Sequence, residues 1–150
     1  MSTPQGAEEV EGEPGWYRWG AFRPGKFASV AVGPLQFRAG PDGTARCRFF
    51  PTALHANFGG AIHGGAVMTF VDMALFAGGR VLGMPDGDYV TLDCATHFIA
   101  PAIPDGEFDV VVRKVGETRG GMVFLSGHCE QNGTTTHSFT GTLKRMKPRA

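Results

Sequence analysis

The chain has 150 residues, the length of a single domain. It is 42% hydrophobic and 19% charged, a composition typical of soluble globular proteins rather than of disordered chains. Lys plus Arg and Asp plus Glu both number 14, so the zero net charge argues against a strongly basic, nucleic-acid-binding protein. The longest apolar runs fall short of the ~18 residues that a membrane-spanning helix needs, so no membrane partner is expected.

The first 15 residues form a segment of distinct composition. They contain four of the 14 acidic residues and no Lys or Arg, which predicts a disordered acidic tail over 1–15. Since neither a basic start nor an apolar run is present, this segment is not expected to be a secretory signal. The rest of the chain therefore holds 14 basic and ten acidic residues, a mild surplus that would suit an anionic ligand.

An aromatic N-terminal extension, residues 16–28, separates this tail from the predicted folded domain at 29–147. Its cluster of Trp16, Tyr17, Trp19 and Phe22 is expected to pack on the core or to contact another subunit. The three cysteines stand at positions 47, 94 and 129 without a C-x-x-C pair. An odd and sparse set of cysteines favours a reducing compartment, so a cytoplasmic location is expected.

The central part of the chain predicts two strands followed by a long helix. Strands are expected at 29–37 and 44–50, joined by the turn residues Pro41, Asp42 and Gly43. The apolar run 66–82 is too long for a strand and is rich in Ala, Met and Leu, which indicates a buried helix that ends at Gly83 and Pro85.

The pattern then changes to period two. Strands are expected at 89–99, 107–116, 121–131 and 134–144, with hairpin connections at 117–120 and 131–133. Since no helix lies between these four strands, the sheet should be mainly antiparallel. One buried helix with about six strands predicts an α+β fold in which a curved antiparallel sheet wraps around one long central helix.

Residues 55–72 carry the features with chemical meaning. Gly64 and Gly65 lie where the helix begins, and free N–H groups there can bind an oxyanion or a carbonyl oxygen. Asp72 is an acid within an apolar run, so it either faces a polar cleft or is paired, for example with Arg80. Asn57, in the preceding loop, either binds a substrate or water or forms a turn through its own backbone.

Spacing along the helix limits how these groups can act together. Gly64 and Asp72 are eight positions apart, or about 12 Å along a helix axis. They cannot both contact one reacting carbon from the same helix. If both act in catalysis, Asp72 must come from a second copy of the chain with an antiparallel helix, and the site lies across a two-fold dimer interface.

The same segment resembles the hotdog-fold acyl-CoA thioesterases of the PaaI-like group, which includes a mammalian thioesterase-superfamily member. Their pattern H-x-N-x-x-G-x-x-H-G-G, followed by a helix with V-D, is matched with every spacing intact. The matching positions are His55, Asn57, Gly60, His63, Gly64, Gly65, Val71 and Asp72. A second block, 91–93 and 98–101, is similar to the strand after the helix in that family.

The resemblance implies a role for each matching position. Asp72 would be the general base, or else the nucleophile, and Thr91 would help to hold the water. Asn57 would orient the water or the thioester, and the N–H of Gly64 would polarise the carbonyl. His63 would be structural or act through its backbone. The resemblance also implies a homodimer as the minimal unit, commonly assembled into a homotetramer.

Acyl-CoA is the implied substrate, so CoA enters as part of it and no cofactor is expected. No metal is expected either, because no Cys or His completes a ligand set with His55 and His63. Gly65 is a further candidate for binding the substrate, and the side chains of Met68, Met73 and Phe76 are candidates for setting the acyl specificity. The CoA phosphates need cations, for which the candidates are Arg113, Lys114, Arg119, Arg145 and Lys147.

Two other functions fit the same fold. One is a non-catalytic acyl-CoA-binding protein, which would bind CoA esters without turnover. The other is a hotdog enoyl-CoA hydratase or dehydratase, although those enzymes resemble a different arrangement of catalytic His and acid. Hydrolysis and hydration assays separate the three functions.

Overall fold

The computed structural model describes residues 3–19 and 25–147. Within these residues the helices are α1 (Phe27–Ala31) and α2 (Gly64–Val81). The strands are β1 (Ala7–Glu9), β2 (Tyr17–Trp19), β3 (Leu35–Ala39), β4 (Thr44–Phe49), β5 (Tyr89–Phe98), β6 (Phe108–Glu117), β7 (Met122–Gln131) and β8 (Thr134–Arg145). Neither described helix is long and apolar enough to span a bilayer.

One antiparallel sheet contains all eight described strands, in the order β1-β2-β3-β4-β6-β7-β8-β5. The prediction of a curved antiparallel sheet around one long helix is confirmed, with eight strands rather than six. The two additional strands, β1 and β2, have three residues each. The helix α2 begins two residues before the predicted start at 66.

The core lies between α2 and the inner face of the sheet, which is the face toward this helix. The helix buries Val67, Phe70, Val71, Ala74 and Leu75, which lie at the i, i+3, i+4 spacing of one helix face. At Gly78 the helix approaches the sheet closely, since an added Cβ would lie 2.8 Å from the side chain of Val112. Glycine at this position therefore fixes how near α2 lies to β6.

The structure differs from the predicted strand at 29–37. Residues 27–31 form α1, and the strand begins only at Leu35. The break follows from Gly33, which has a φ of 69°, and from Pro34, which lacks an N–H for a strand ladder. The hairpin between β3 and β4 is as predicted, with Asp42 and Gly43 both at positive φ in the turn.

The segment predicted to be a disordered tail over 1–15 contains β1, which pairs with β2 in the predicted N-terminal extension. The Trp16 side chain, next to β2, is buried between the guanidinium groups of Arg38 and Arg48, which lie 4.5 Å and 4.4 Å from its ring. Trp16 therefore packs on its own chain, on the sheet face away from α2. Phe22 lies outside the described residues, and the domain boundaries at 15 and 28 remain predictions.

Candidate active site

The loop before α2 is built by the residues of the predicted motif. The ring of His55 is buried and both of its nitrogens are engaged: Nδ1 accepts the N–H of Thr52, and Nε2 lies 2.8 Å from the carbonyl oxygen of Ala31. The Oδ1 atom of Asn57 accepts the N–H groups of Gly59 and Ala61 at 2.8 Å and 3.2 Å. His55 is thus a packing residue, and Asn57 forms the predicted turn.

The first turn of α2 leaves one N–H group free. His63 caps the helix, since its Nδ1 accepts the N–H of Gly65 at 3.0 Å, and its carbonyl oxygen accepts the N–H groups of Ala66 and Val67. The N–H of Gly64 has no hydrogen-bond partner among the described residues. It is therefore the donor at this helix end that can bind an anionic or carbonyl oxygen.

The ring of Phe98 lies beside Gly64. A Cβ added to Gly64 would lie 3.3 Å from two carbon atoms of that ring, so glycine is needed for the close approach. Phe98 is itself half exposed and contacts His137 edge to face. Burial lowers the pKa of His137, which favours the neutral imidazole within this aromatic cluster. A role for Phe98 at this helix end could not be predicted from the sequence, because the position of its ring beside Gly64 depends on the tertiary fold.

Asp72 and Thr91 are brought together by α2 and β5. The Thr91 hydroxyl donates a hydrogen bond of 2.6 Å to Oδ1 of the partly buried Asp72. The alternative ion pair with Arg80 is not formed, because Arg80 contacts Asp86 and the carbonyl oxygens of Pro85 and Gly87. No salt bridge to Asp72 occurs within the described residues, and its second oxygen, Oδ2, accepts no hydrogen bond from them.

Two of the predicted catalytic groups stay apart within one chain. Gly64 and Asp72 lie on the same helix, eight residues or about 12 Å apart. The strand β5 runs antiparallel to this helix, so Phe98 adjoins Gly64 while Thr91 adjoins Asp72. One chain therefore presents an unpartnered N–H at one position and a carboxylate–hydroxyl pair at another.

The predicted substrate-binding residues of α2 follow the side of the helix that faces away from the core. Gly65 and Met68 are exposed, whereas Met73 and Phe76 are half-buried against the core. Phe76 also lines a cavity of about 480 Å³ at the C-terminal end of α2, together with Trp19 and Arg80. These residues share one side of the helix with Asp72, as their spacing requires.

The predicted phosphate-binding cations are scattered. Arg113 lies on the sheet face away from α2, because its neighbour Val112 points inward to Gly78 and strand side chains alternate. Arg145 donates to the carbonyl oxygen of Asp86, beyond the C-terminal end of α2, and Arg119 lies in the turn beside β8. Within one chain, these side chains are not gathered around Gly64. Lys114 pairs with Glu117, and Lys147 is exposed beyond β8.

The cysteines and histidines of the described residues do not form a reactive or metal-binding cluster. Cys47 and Cys129 are buried, and burial raises the pKa of Cys129 to about 12 and that of Cys94 above its usual value. These groups are therefore thiols rather than thiolate nucleophiles. No group of three or more His, Cys, Asp or Glu side chains in residues 3–19 and 25–147 could hold a metal ion.

Residues 59–123, which contain α2, β5, β6 and the helix N-terminus, match the model of the thioesterase superfamily. The resemblance to PaaI-like thioesterases is confirmed. A search of the curated proteins finds no match to this chain.

Solved structures share the hotdog fold over most of the chain. A conserved protein of Pseudomonas aeruginosa is 28% identical, with a TM-score of 0.65 over 81% of this chain and 94% of its own. The PaaI protein of Escherichia coli, from the phenylacetic acid degradation operon, is 17% identical, with a TM-score of 0.67 over 82% and 86%. A hypothetical thioesterase of Streptococcus pneumoniae, solved with coenzyme A, is 20% identical, with a TM-score of 0.67 over 81% and 92%.

Proposed function

We propose that this chain is an acyl-CoA thioesterase, which hydrolyses acyl-CoA to a free acid and CoA. The observation that carries the proposal is the pair of groups that hydrolysis needs: an unpartnered N–H at the start of α2, and the Asp72 carboxylate farther along the same helix, which accepts a hydrogen bond from Thr91 of β5. The match to the thioesterase superfamily and the neighbour solved with coenzyme A support the substrate class.

Asp72 acts as the general base in this proposal. The hydrogen bond from Thr91 fixes one carboxylate oxygen, and the other, Oδ2, is left to accept a proton from the attacking water. The water oxygen bonds to the thioester carbon, and the N–H of Gly64 stabilises the negative charge that forms on the carbonyl oxygen. The C–S bond then breaks, and the leaving CoA thiolate takes up the proton that Asp72 accepted, which restores the carboxylate.

Two copies of the chain are required for this reaction. Gly64 of one protomer and Asp72 of its partner would meet at one thioester if the two α2 helices lay antiparallel, which gives two sites per dimer. Two features of β5 support such a dimer. It is an edge strand whose second edge is unpaired within the described residues, and its Val90 and Leu92 side chains are exposed. A homotetramer and a cytoplasmic location are parts of the same proposal.

Asn57 supports the site from the preceding loop. Because its Oδ1 atom is engaged by two backbone N–H groups, its amide NH₂ group is the part left to bind the thioester or the water. His63 acts as a positioning residue, since its ring holds the N–H of Gly65 and leaves that of Gly64 free.

The test is release of free CoA from a panel of aliphatic and aromatic acyl-CoAs by the purified protein. We expect turnover by the wild type, a loss of about 100-fold or more in Asp72→Asn, and no change in Asp105→Asn, an exposed loop carboxylate. No turnover across the panel, or full activity in Asp72→Asn, would contradict the proposal. Hydration of an enoyl-CoA without thioester hydrolysis would instead favour a hydratase.

A further inference from the structure

A groove lies between α1 and the first turns of α2, and we name it the α1 groove. It has a volume of about 560 Å³, within the range of small-molecule pockets. Phe27, Val30 and Leu54 form its outer wall, and His63 and Gly65 form its inner end. The groove therefore reaches the residues on either side of Gly64, whose N–H is unpartnered within the described residues.

The outer wall consists of apolar side chains that the fold leaves in solvent. Phe27, Val30 and Leu54 are 72%, 64% and 74% exposed, and no residue of α1 is buried. The helix is nevertheless held in place, because Val32 is buried in the core and the Ala31 carbonyl oxygen lies 2.8 Å from the ring of His55. A fixed apolar wall exposed in this way is typical of a binding surface.

Most of the polar groups that line the groove already have hydrogen-bond partners. The Thr69 hydroxyl donates to the Gly65 carbonyl oxygen at 2.8 Å, His63 accepts the Gly65 N–H, and both nitrogens of His55 are engaged. No Lys, Arg, Asp or Glu lies among the residues that line it. The α1 groove thus has no Lys or Arg side chain to bind the CoA phosphates, and its apolar wall suits an uncharged apolar group.

We propose that the α1 groove binds the acyl group of the substrate and that α1 selects bulky apolar acyl groups over acetyl. This rests on the proposed function, since a thioester carbonyl held at the Gly64 N–H lies at the inner end of the groove. The acyl carbon chain or ring then extends along Phe27, Val30 and Leu54, and the CoA part leaves in the other direction. The three exposed side chains become covered when substrate binds.

The test compares kcat/KM for acetyl-CoA, decanoyl-CoA and phenylacetyl-CoA. Leu54→Ala removes part of the wall, Val30→Trp fills the groove, and Val115→Ala removes an equally exposed side chain from β6 as the control. For decanoyl-CoA we expect a loss of about tenfold in Leu54→Ala and a larger loss in Val30→Trp. Acetyl-CoA hydrolysis should change by less than about twofold, and Val115→Ala should match the wild type.

Equal losses for all three esters in both groove variants would overturn the proposal. The proposal would also be overturned if the groove variants kept the wild-type selectivity among the esters but dissociated to monomers in sedimentation experiments. That result would mean that a second copy of the chain, rather than the acyl group, covers the groove. If the wild type hydrolyses none of the esters, the proposed function fails, and calorimetric binding of decanoyl-CoA still tests the groove. Weaker binding by Leu54→Ala than by wild type and Val115→Ala would support it, and equal binding would overturn it.

Discussion

Replacing Gly64 by proline deletes the N–H that the proposed mechanism places against the thioester carbonyl. Proline is tolerated at the first position of a helix, because the N–H there has no intrahelical partner. The preceding residue, His63, has φ −61° and ψ 137°, which is the extended backbone that a following proline requires. The substitution therefore removes one donor with little disturbance of α2.

The expected magnitudes for activity and stability differ widely. Loss of one oxyanion donor lowers kcat by about 10²- to 10³-fold. The free energy of unfolding should change by less than about 1 kcal/mol, because two effects oppose each other. Proline restricts the unfolded chain, which stabilises the folded state, whereas its Cβ would lie 3.3 Å from the ring of Phe98, which destabilises it. Gly64→Ala is the matched control, because it adds the same Cβ and keeps the N–H.

Steady-state CoA release and urea unfolding of the two variants separate the effects. We expect Gly64→Ala to lose about tenfold in kcat through crowding of the carbonyl and Gly64→Pro to lose at least about tenfold more. Equal activity in the two variants would refute the role of the N–H. A loss of stability in Gly64→Pro large enough to unfold the chain would point to a packing role for this glycine.

Three further predictions concern the neighbouring side chains. Thr91→Val removes the hydroxyl that donates to Asp72 and should lower kcat by about 10- to 100-fold in the CoA-release assay, whereas unchanged kcat would exclude a role for this bond. In urea unfolding, His63→Ala should lower the free energy of unfolding by about 1 kcal/mol and His63→Asn by much less, because only Asn keeps a side-chain acceptor for the Gly65 N–H. Equal losses of unfolding free energy in the two variants would argue against the capping role of His63. Burial lowers the pKa of His137 below its ordinary 6.5, so the unfolded chain binds the proton first and the free energy of unfolding should fall as the pH drops from 6.5 through the folded-state pKa. Urea unfolding at several pH values should show that the free energy of unfolding falls less on acidification in His137→Phe than in the wild type. An identical fall in both proteins would contradict this assignment.

The long elements could be predicted because their sequence periods are strong. The apolar run that became α2 and the four period-two segments after it agree with the structure to within two residues at each end. The turn at Asn132 and Gly133 was equally readable, since both adopt positive φ as a tight hairpin requires.

The short elements could not be predicted, because tertiary pairing rather than local pattern determines them. The three-residue strand β1 exists through its register with β2, from Ala7 opposite Trp19 to Glu9 opposite Tyr17, and its acidic composition gave no such signal. The segment 29–32 alternates like a strand, yet Gly33 and Pro34 separate it from β3, and its residues 29–31 complete α1.

The candidate site shows the same division. Asp72 and Thr91 could be named from the motif and its second block, and the fold brings them within 2.6 Å. Phe98 and the α1 groove could not be found, because they depend on how β5 and α1 lie against the start of α2. The spacing of the motif placed Asn57 next to the substrate but could not show how its amide group is oriented. In the structure its side-chain oxygen accepts two backbone N–H groups and forms a turn, so that oxygen is not available to a substrate.

The most direct test of the shared site mixes two inactive variants. Asp72→Asn retains the Gly64 N–H, and Gly64→Pro retains the Asp72 carboxylate, so a mixed dimer contains one intact site if each site draws one group from each chain. Co-refolding the two in equal amounts should restore about a quarter of wild-type CoA release, because half of the dimers are mixed and each carries one active site of two. Activity in the mixture no higher than in either variant alone would contradict a site shared between two chains.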